Sequence, residues 1–216
     1  MPKDLSPLAQ RVHDLIDFDK RVYFFCIVLL FILIRYLTNE LILEAVPNSQ
    51  EVKDQGAFTF FYIYSTLGYL WTPFELLWKF TLISFLLWLG AFSLGYKIPY
   101  KSLWQFVLVA EFIFIFPELI RFLVYINPET AESFSEIKAY RPLSVLSLAG
   151  YENVALRLRY PLATLNLFEL LYMVLLTIGI HSLSGQNMKK SALVVVAGYL
   201  IPMAIWLTWF SLVYRD

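Results

Sequence analysis

Five long apolar stretches are the feature that most restricts what this chain can fold into. A helix that crosses a bilayer needs roughly 20 mostly apolar residues, and each stretch approaches or exceeds that length. Their approximate bounds are 22–37, 73–95, 102–126, 163–183 and 191–214. Of the 216 residues 59% are hydrophobic, more than a soluble domain carries. We therefore predict an all-α integral membrane protein, a five-helix transmembrane bundle forming a single domain over residues 21–216.

Two further segments lie outside the predicted spans. In residues 1–20, apolar side chains such as Leu8 and Val12 recur at helical spacing, which predicts an amphipathic helix on the cytoplasmic surface. Residues 57–71 are rich in Phe and Tyr and end just before Pro73. A stretch of about 15 residues is short for a crossing, so we expect an interfacial or re-entrant aromatic segment, with a sixth crossing as the alternative.

Lysine and arginine are concentrated on one side of the predicted bundle. The N-terminal segment and the short turns at 96–101 and 185–190 are basic, whereas the polar part of residues 39–72 is mainly acidic. Loops rich in Lys and Arg stay in the cytoplasm. We therefore predict that the N-terminus is inside, and that the C-terminus and a long outer loop at 127–161 are outside.

The charge balance and the motif content argue against several classes of function. Basic and acidic residues number 17 each, so the chain has no basic face for nucleic acid. Cys26 is the single cysteine, and neither His13 nor His181 has a further Cys or His at metal-ligand spacing. The motifs of hydrolases, P-loop proteins and dinucleotide enzymes are absent. We predict a protein that is not an enzyme and that uses no metal and no cofactor.

Ionisable residues within the predicted spans are the candidates for a site. They are Glu75, Lys79, Glu111, Glu118, Arg121 and Glu169. A charge near the centre of a span costs roughly 2.5–3.5 kcal/mol and usually faces the bundle interior or a cavity. Helical spacing predicts a Glu75–Lys79 pair at i,i+4 and a Glu118–Arg121 pair at i,i+3. Glu111 then needs a partner on another helix, and Lys79 and Glu169 are its two candidates.

Two interpretations of these residues stay open. The first is a path for protons or cations lined by Glu111, Glu118 and Glu169, in a span that Pro117 bends. The second is a set of ion pairs and hydrogen bonds that fixes how the helices pack.

Three arginines lie at or beyond the ends of the predicted spans. Arg35 is near the end of the first span, and we expect its long side chain to snorkel to the interface. Arg157 and Arg159 lie in the long outer loop, where they are candidates for contact with lipid headgroups.

The C-terminal half carries a resemblance to a known family. The stretch "LNLFELLYMVLLTIGIHSLSGQNMKKSALVVVAGYLI", the tight turn in "GYKIPYKSLWQFVLVAEF", the five-span count and the proline in the third span resemble the YIP family of Ypt/Rab-interacting membrane proteins. The resemblance covers about residues 60–213. It implies a compact helical bundle without catalysis that acts through protein partners.

The N-terminal region departs from the eukaryotic members of that family. Only about 20 residues precede the first span, and they lack the short motif linked to Rab trafficking. The sequence therefore argues against a Rab-type GTPase as partner. It favours the bacterial branch of the family and a place in the bacterial cytoplasmic (inner) membrane.

Two functions follow as alternatives. The first is a scaffold or accessory subunit that associates with other membrane proteins in a complex through small-residue helix faces. Those faces contain Ser191, Ala192, Ala197 and Gly198. The second is a small transporter or channel component in which the intramembrane carboxylates carry protons or cations.

Overall fold

The computed structural model describes residues 18–45, 57–126 and 140–214, together with positions 10 and 14. Within these ranges the regular elements are all helical, apart from one isolated bridge between Ser144 and Asn166. The predicted amphipathic helix at 1–20 and the first part of the outer loop, 127–139, lie almost entirely outside the described residues.

The described residues form helices that we number in chain order. They are α1 (Lys20–Ala45), α2 (Ala57–Ser93), α3 (Tyr100–Ala110), α4 (Ile115–Ile126), α5 (Val145–Ala149), α6 (Leu156–Thr164), α7 (Leu167–Ser184), α8 (Met188–Val195) and α9 (Ile201–Val213). Short 3-10 turns at Glu111–Phe114 and Tyr151–Asn153 join α3 to α4 and α5 to α6. A π turn at Val196–Leu200 joins α8 to α9.

Among the described residues, four stretches are long and apolar enough to cross a membrane. They are Lys20–Ile42, Tyr62–Ser93, Leu167–Ser184 and Met188–Val213. The described part of the chain is therefore all-helical and has the features of an integral membrane protein. The fifth predicted span, 102–126, is helical throughout but is divided by the 3-10 turn at Glu111–Phe114, so the five-span bundle stays a prediction.

The break predicted at Pro73 is wrong. Pro73 lies inside α2, which runs without interruption from Ala57 to Ser93. In a bilayer no water is present to satisfy free backbone groups, so a helix is kept through a proline when the residues on both sides are apolar. Residues 57–71 therefore begin α2 instead of forming a separate segment.

The fourth predicted span begins later than expected. Its helix, α7, starts at Leu167, and Asn166 caps it by accepting a hydrogen bond from the backbone of Glu169 at 3.0 Å. The preceding residues form the separate helix α6, which ends at Thr164. A side-chain cap of this kind satisfies amide groups that a helix start leaves free, which explains why the helix begins at Leu167.

Pairs of contacts define the two ends of the bundle. One end, which we call the turn end, contains the connections at 94–99 and 185–187. At this end Lys20 is close enough to Lys101 for their charges to interact. At the other end, the loop end, Ile42 packs with Tyr125. Helix α1 therefore runs parallel to α3 and α4.

A single apolar core joins the helices toward the turn end. It contains Phe80, Leu87, Leu103, Leu176 and Val194, each fully buried and contributed by α2, α3, α7 and α8. The backbones of the π turn and α2 approach each other closely at Gly198. A Cβ atom at Gly198 would lie 2.7 Å from the carbonyl oxygen of Leu86 and 2.8 Å from the Cα of Leu87.

Irregular turns precede two of the prolines within helices. The 3-10 turn ends at Phe114 before Pro117, and the π turn ends at Leu200 before Pro202. Proline lacks the amide that would bond four residues back, and its ring crowds that carbonyl. The chain takes up this loss in the turn before each proline, and beyond the π turn α9 packs on α6, with the rings of Tyr160 and Phe210 4.4 Å apart.

Candidate functional site

A cavity of about 710 Å³ lies toward the loop end of the bundle. All six ionisable residues that the sequence singled out within the spans contribute to its wall. Arg35, Arg141 and Arg159 also line it. These six side chains therefore contribute to the wall of the same cavity.

The deepest charged group is Glu111, at the start of the 3-10 turn. Its side chain is 1% exposed, and the Nζ atom of Lys79 lies 2.9 Å from its Oε2 atom. Lys79 also lies 3.8 Å from the ring centroid of Phe114, a cation–π contact. Of the two candidate partners, Lys79 forms the ion pair with Glu111, and Glu169 is near enough for its charge to interact with both.

The Lys79–Glu111 pair is far from the turn end. Lys79 lies fourteen residues before the end of α2 at Ser93, which is about 20 Å along a helix that rises 1.5 Å per residue. The hydrocarbon core of a bilayer is about 30 Å thick. If the turn end lies at one membrane surface, the pair lies beyond the bilayer midplane.

Two tyrosines and Glu169 complete the deep part of the site. Tyr199 donates a hydrogen bond from its hydroxyl to Oε2 of Glu169 at 2.6 Å. Tyr172 is fully buried, and its hydroxyl is close to the carboxylate of Glu111. The Nζ atom of Lys79 and the hydroxyl of Tyr172 therefore both lie beside the buried carboxylate of Glu111.

A second charged layer is centred on Arg35. Its guanidinium lies 3.5 Å from Oε2 of Glu75 and 3.3 Å from Oε1 of Glu118, and it donates to the hydroxyl of Thr72 at 3.4 Å. This one side chain therefore joins α1, α2 and α4. Two carboxylates on neighbouring helices hold Arg35 in the bundle, and its snorkelling to the interface stays a prediction.

The two ion pairs predicted from helical spacing are not the ones that form. Glu75 pairs with Arg35 rather than with Lys79, and Glu118 pairs with Arg35 rather than with Arg121. Side chains that point into a bundle meet other helices more closely than they meet their own helix. The spacing rule identifies pairs on an exposed helix face, where no such competitor is present.

Arg121 contributes to the same charged layer in another way. It lines the cavity and is close enough to Glu118, Arg35 and Arg141 for their charges to interact. A second cavity, of about 320 Å³, adjoins this layer. Both cavities are lined by Arg35, Glu75, Glu118, Arg121 and Arg141. The charged layer thus forms the boundary between the two spaces.

The two headgroup candidates in the loop lie in different places. Arg159 lines the larger cavity, with its guanidinium 3.9 Å from the ring centroid of Tyr151 and its Nε atom donating to the carbonyl of Val154 at 3.1 Å. Arg157 is exposed and does not line that cavity. The two arginines are therefore on different sides of α6.

The cavity is open on the side of Glu75. That residue lines the cavity wall and is 54% exposed, and the neighbouring aromatic residues Trp71, Phe74 and Trp78 on α2 are also exposed. Phe210 of α9 and Tyr214, which directly follows α9, also line the cavity. A charged interior is therefore in contact with an apolar outer surface that has the composition of a lipid-facing helix.

Three contributors to the site were not identified from the sequence. Tyr172 and Tyr199 fall within the predicted apolar spans, although a tyrosine deep in a span needs a polar partner for its hydroxyl. Arg141 lies in the predicted outer loop and has no helical periodicity around it. Among the described residues, no group of three or more His, Cys, Asp and Glu side chains is placed to hold a metal ion.

Comparison with known proteins gives no relative for this fold or site. No protein-family model, no curated protein and no solved structure matches the chain. The resemblance to the YIP family therefore stays a prediction from the sequence pattern of residues 60–213.

Proposed function

We propose that this membrane protein binds an amphiphilic molecule, with the polar headgroup in the charged cavity and the apolar chains in the bilayer beside α2 and α9. The observation that carries the proposal is the convergence of charged side chains from α1, α2, α4, α6 and α7 on a single open space. The size of about 710 Å³ falls within the range of roughly 300–1,000 Å³ that is typical of ligand pockets.

The energetics support binding over a purely structural role. Charges within a span are costly, and ion pairs that serve only to hold helices together lower that cost best when they are closely packed. Here the ion pairs that Arg35 and Lys79 form with carboxylates line an open cavity instead, and the side chain of Lys79 is 37% exposed. Such a space suits a ligand or water that interacts with the charged groups.

The composition of the wall supports an amphiphilic ligand in particular. Apolar and aromatic side chains line the wall together with the charged ones. They include Phe31, Leu76, Phe114, Tyr160, Phe210 and Tyr214. Beyond the π turn, α9 packs on α6, where the Nε1 atom of Trp206 lies 3.5 Å from the hydroxyl of Tyr160. Residues of both α2 and α9 thus line the cavity, and we expect a lipid-type molecule to enter from the bilayer beside these helices.

The structure gives less support to the scaffold function. Ser191 is fully buried, and Gly198 packs against the backbone of α2. Part of the small-residue face that was expected to bind another membrane protein is therefore used within the chain itself. The hypothesis of a cation path meets a similar difficulty, because Glu111 and Glu118 already pair with basic side chains and Glu169 accepts from Tyr199.

A bulky residue in the cavity wall tests the proposal. Ala163 lines the cavity, and we expect Ala163→Trp to reduce by severalfold the amount of lipid that stays bound after purification in a mild detergent. The measurement is mass spectrometry of the extracted lipids per mole of protein. Ala155→Trp is the matched control, because Ala155 is exposed just before α6 and does not line the cavity. Equal lipid content in both variants and the wild type would contradict the proposal.

A further inference from the structure

We infer that the headgroup bound in the cavity is a phosphate of a membrane lipid, held by Arg159 in a cavity wall to which Arg121 and Arg141 add positive charge. This inference rests on the proposed function, because it names the ligand class of the same cavity. It starts from the charges in the wall. The lining residues that the structure describes include the basic Arg35, Lys79, Arg121, Arg141 and Arg159, against four carboxylates.

The carboxylates of the cavity wall interact with groups other than Arg159. Arg35 pairs with Glu75 and Glu118, and Lys79 pairs with Glu111. The fourth carboxylate, Glu169, accepts a hydrogen bond from Tyr199. Within the described ranges, therefore, no carboxylate forms an ion pair with Arg159.

Arg159 is fixed in a way that suits an anion. Stacking on Tyr151 sets the plane of its guanidinium, and the bond from Nε to the carbonyl of Val154 sets the rotation within that plane. The two terminal nitrogens are then the groups with which it can bind a ligand. A guanidinium that is already oriented loses less side-chain entropy on binding, and its parallel N–H groups match two oxygens of a phosphate.

Arg121 and Arg141 extend the same positive region. They reach the cavity from α4 and from the segment before α5, and their charges are close enough to repel each other. A phosphate bound at Arg159 gains from the positive charge of these two side chains, because they line the same cavity. Arginines from three separate elements thus contribute to one cavity wall.

The position of the arginines indicates a lipid as the source of the phosphate. Arg141 and Arg159 belong to the segment at the loop end, and the cavity below them is bounded by apolar side chains of α2 and α9. A lipid that enters from the bilayer brings its phosphate to the level of the headgroups and leaves its chains in the hydrocarbon. A soluble phosphate ion gains nothing from the apolar part of the wall.

Titration with defined lipids tests the inference. The delipidated wild-type protein is titrated with phosphatidylglycerol, and the bound fraction is measured by native mass spectrometry. Losing one charge-assisted interaction weakens binding by about tenfold or more, and we expect that loss for Arg159→Gln. Arg159→Lys keeps the positive charge but lacks the parallel N–H groups of the guanidinium, so we expect a smaller loss of binding. Arg157→Gln is the matched control, and we expect binding equal to the wild type because Arg157 does not line the cavity.

Two further ligands separate the sources of the phosphate. Diacylglycerol has the same chains without a phosphate, and we expect it to bind at least about tenfold more weakly than phosphatidylglycerol. Inorganic phosphate at equal concentration is expected not to displace the lipid. Displacement by inorganic phosphate would assign the site to a soluble anion and overturn the inference.

The remaining outcomes separate this inference from the proposed function. If Arg159→Gln and Arg157→Gln bind phosphatidylglycerol equally while Ala163→Trp still loses lipid, the phosphate assignment is wrong and the cavity still binds an amphiphile. If Ala163→Trp retains lipid as well, the proposed function itself is wrong. A melting temperature for each variant, with Arg159→Lys as the second probe of the same position, shows that any loss of binding comes from a folded protein.

Discussion

Replacing Lys79 with methionine is expected to destabilise the protein by about 3–5 kcal/mol, the cost of leaving a buried charge without its partner. Glu111 is fully buried, and Lys79 is the basic group that the described residues bring to it. Methionine keeps the length of the side chain but removes the charge. We expect a large fall in the thermal melting midpoint of the protein purified in detergent, together with a lower yield from membranes.

The partner residue provides the control for this prediction. Glu111→Gln should be milder, because it leaves Lys79, which is 37% exposed in the cavity and can be hydrated there. The double variant Lys79→Met with Glu111→Gln removes both charges, and we expect it to recover much of the stability that Lys79→Met loses. If the double variant is as unstable as the sum of the two single changes, the ion pair does not couple these residues.

The second large effect is expected at Gly198. A Cβ atom there would overlap backbone atoms of Leu86 and Leu87, which cannot move without displacing α2. Overpacking of a core site costs typically about 1–3 kcal/mol and sometimes more. We therefore expect Gly198→Ala to lower the melting midpoint and to weaken the packing of the π turn on α2.

Gly68 is the matched control for that change. It lies in the same helix α2 that Gly198 contacts, and a Cβ atom at Gly68 would meet no atom within 4 Å. Alanine within a helix is more favourable than glycine by about 0.5–1 kcal/mol. Gly68→Ala should therefore leave the melting midpoint unchanged or raise it slightly, and equal losses in both variants would contradict the close approach at Gly198.

The sequence predicts the residues of the site better than it predicts their partners. Charges within apolar spans are rare and costly, so Glu111, Glu118 and Glu169 stand out from composition alone. Their partners depend on which helices are neighbours. Arg35 lies 83 positions before Glu118 in the chain, and no local spacing rule connects them. Only the parallel packing of α1 along α4 brings the two side chains together.

The helix ends show a similar division between local and tertiary effects. Asn166 and Asn187 each cap a helix, and such caps are local signals that a sequence carries. The prolines are not equivalent: α2 continues through Pro73, whereas irregular turns precede Pro117 and Pro202. At Pro202 the preceding turn contains Gly198, whose contact with α2 fixes the backbone. The effect of a proline here thus depends on the packing around it.

Photo-crosslinking with a lipid that carries a reactive group near its headgroup tests the central claim most directly. The purified protein in lipid nanodiscs is irradiated, and the labelled residues are located by mass spectrometry. The proposed function predicts labels on the cavity wall, at Lys79, Ala163 and Phe210, and predicts that Ala163→Trp removes them. Labels confined to the exposed residues Trp71 and Trp78 on α2, with none in the cavity, would contradict it.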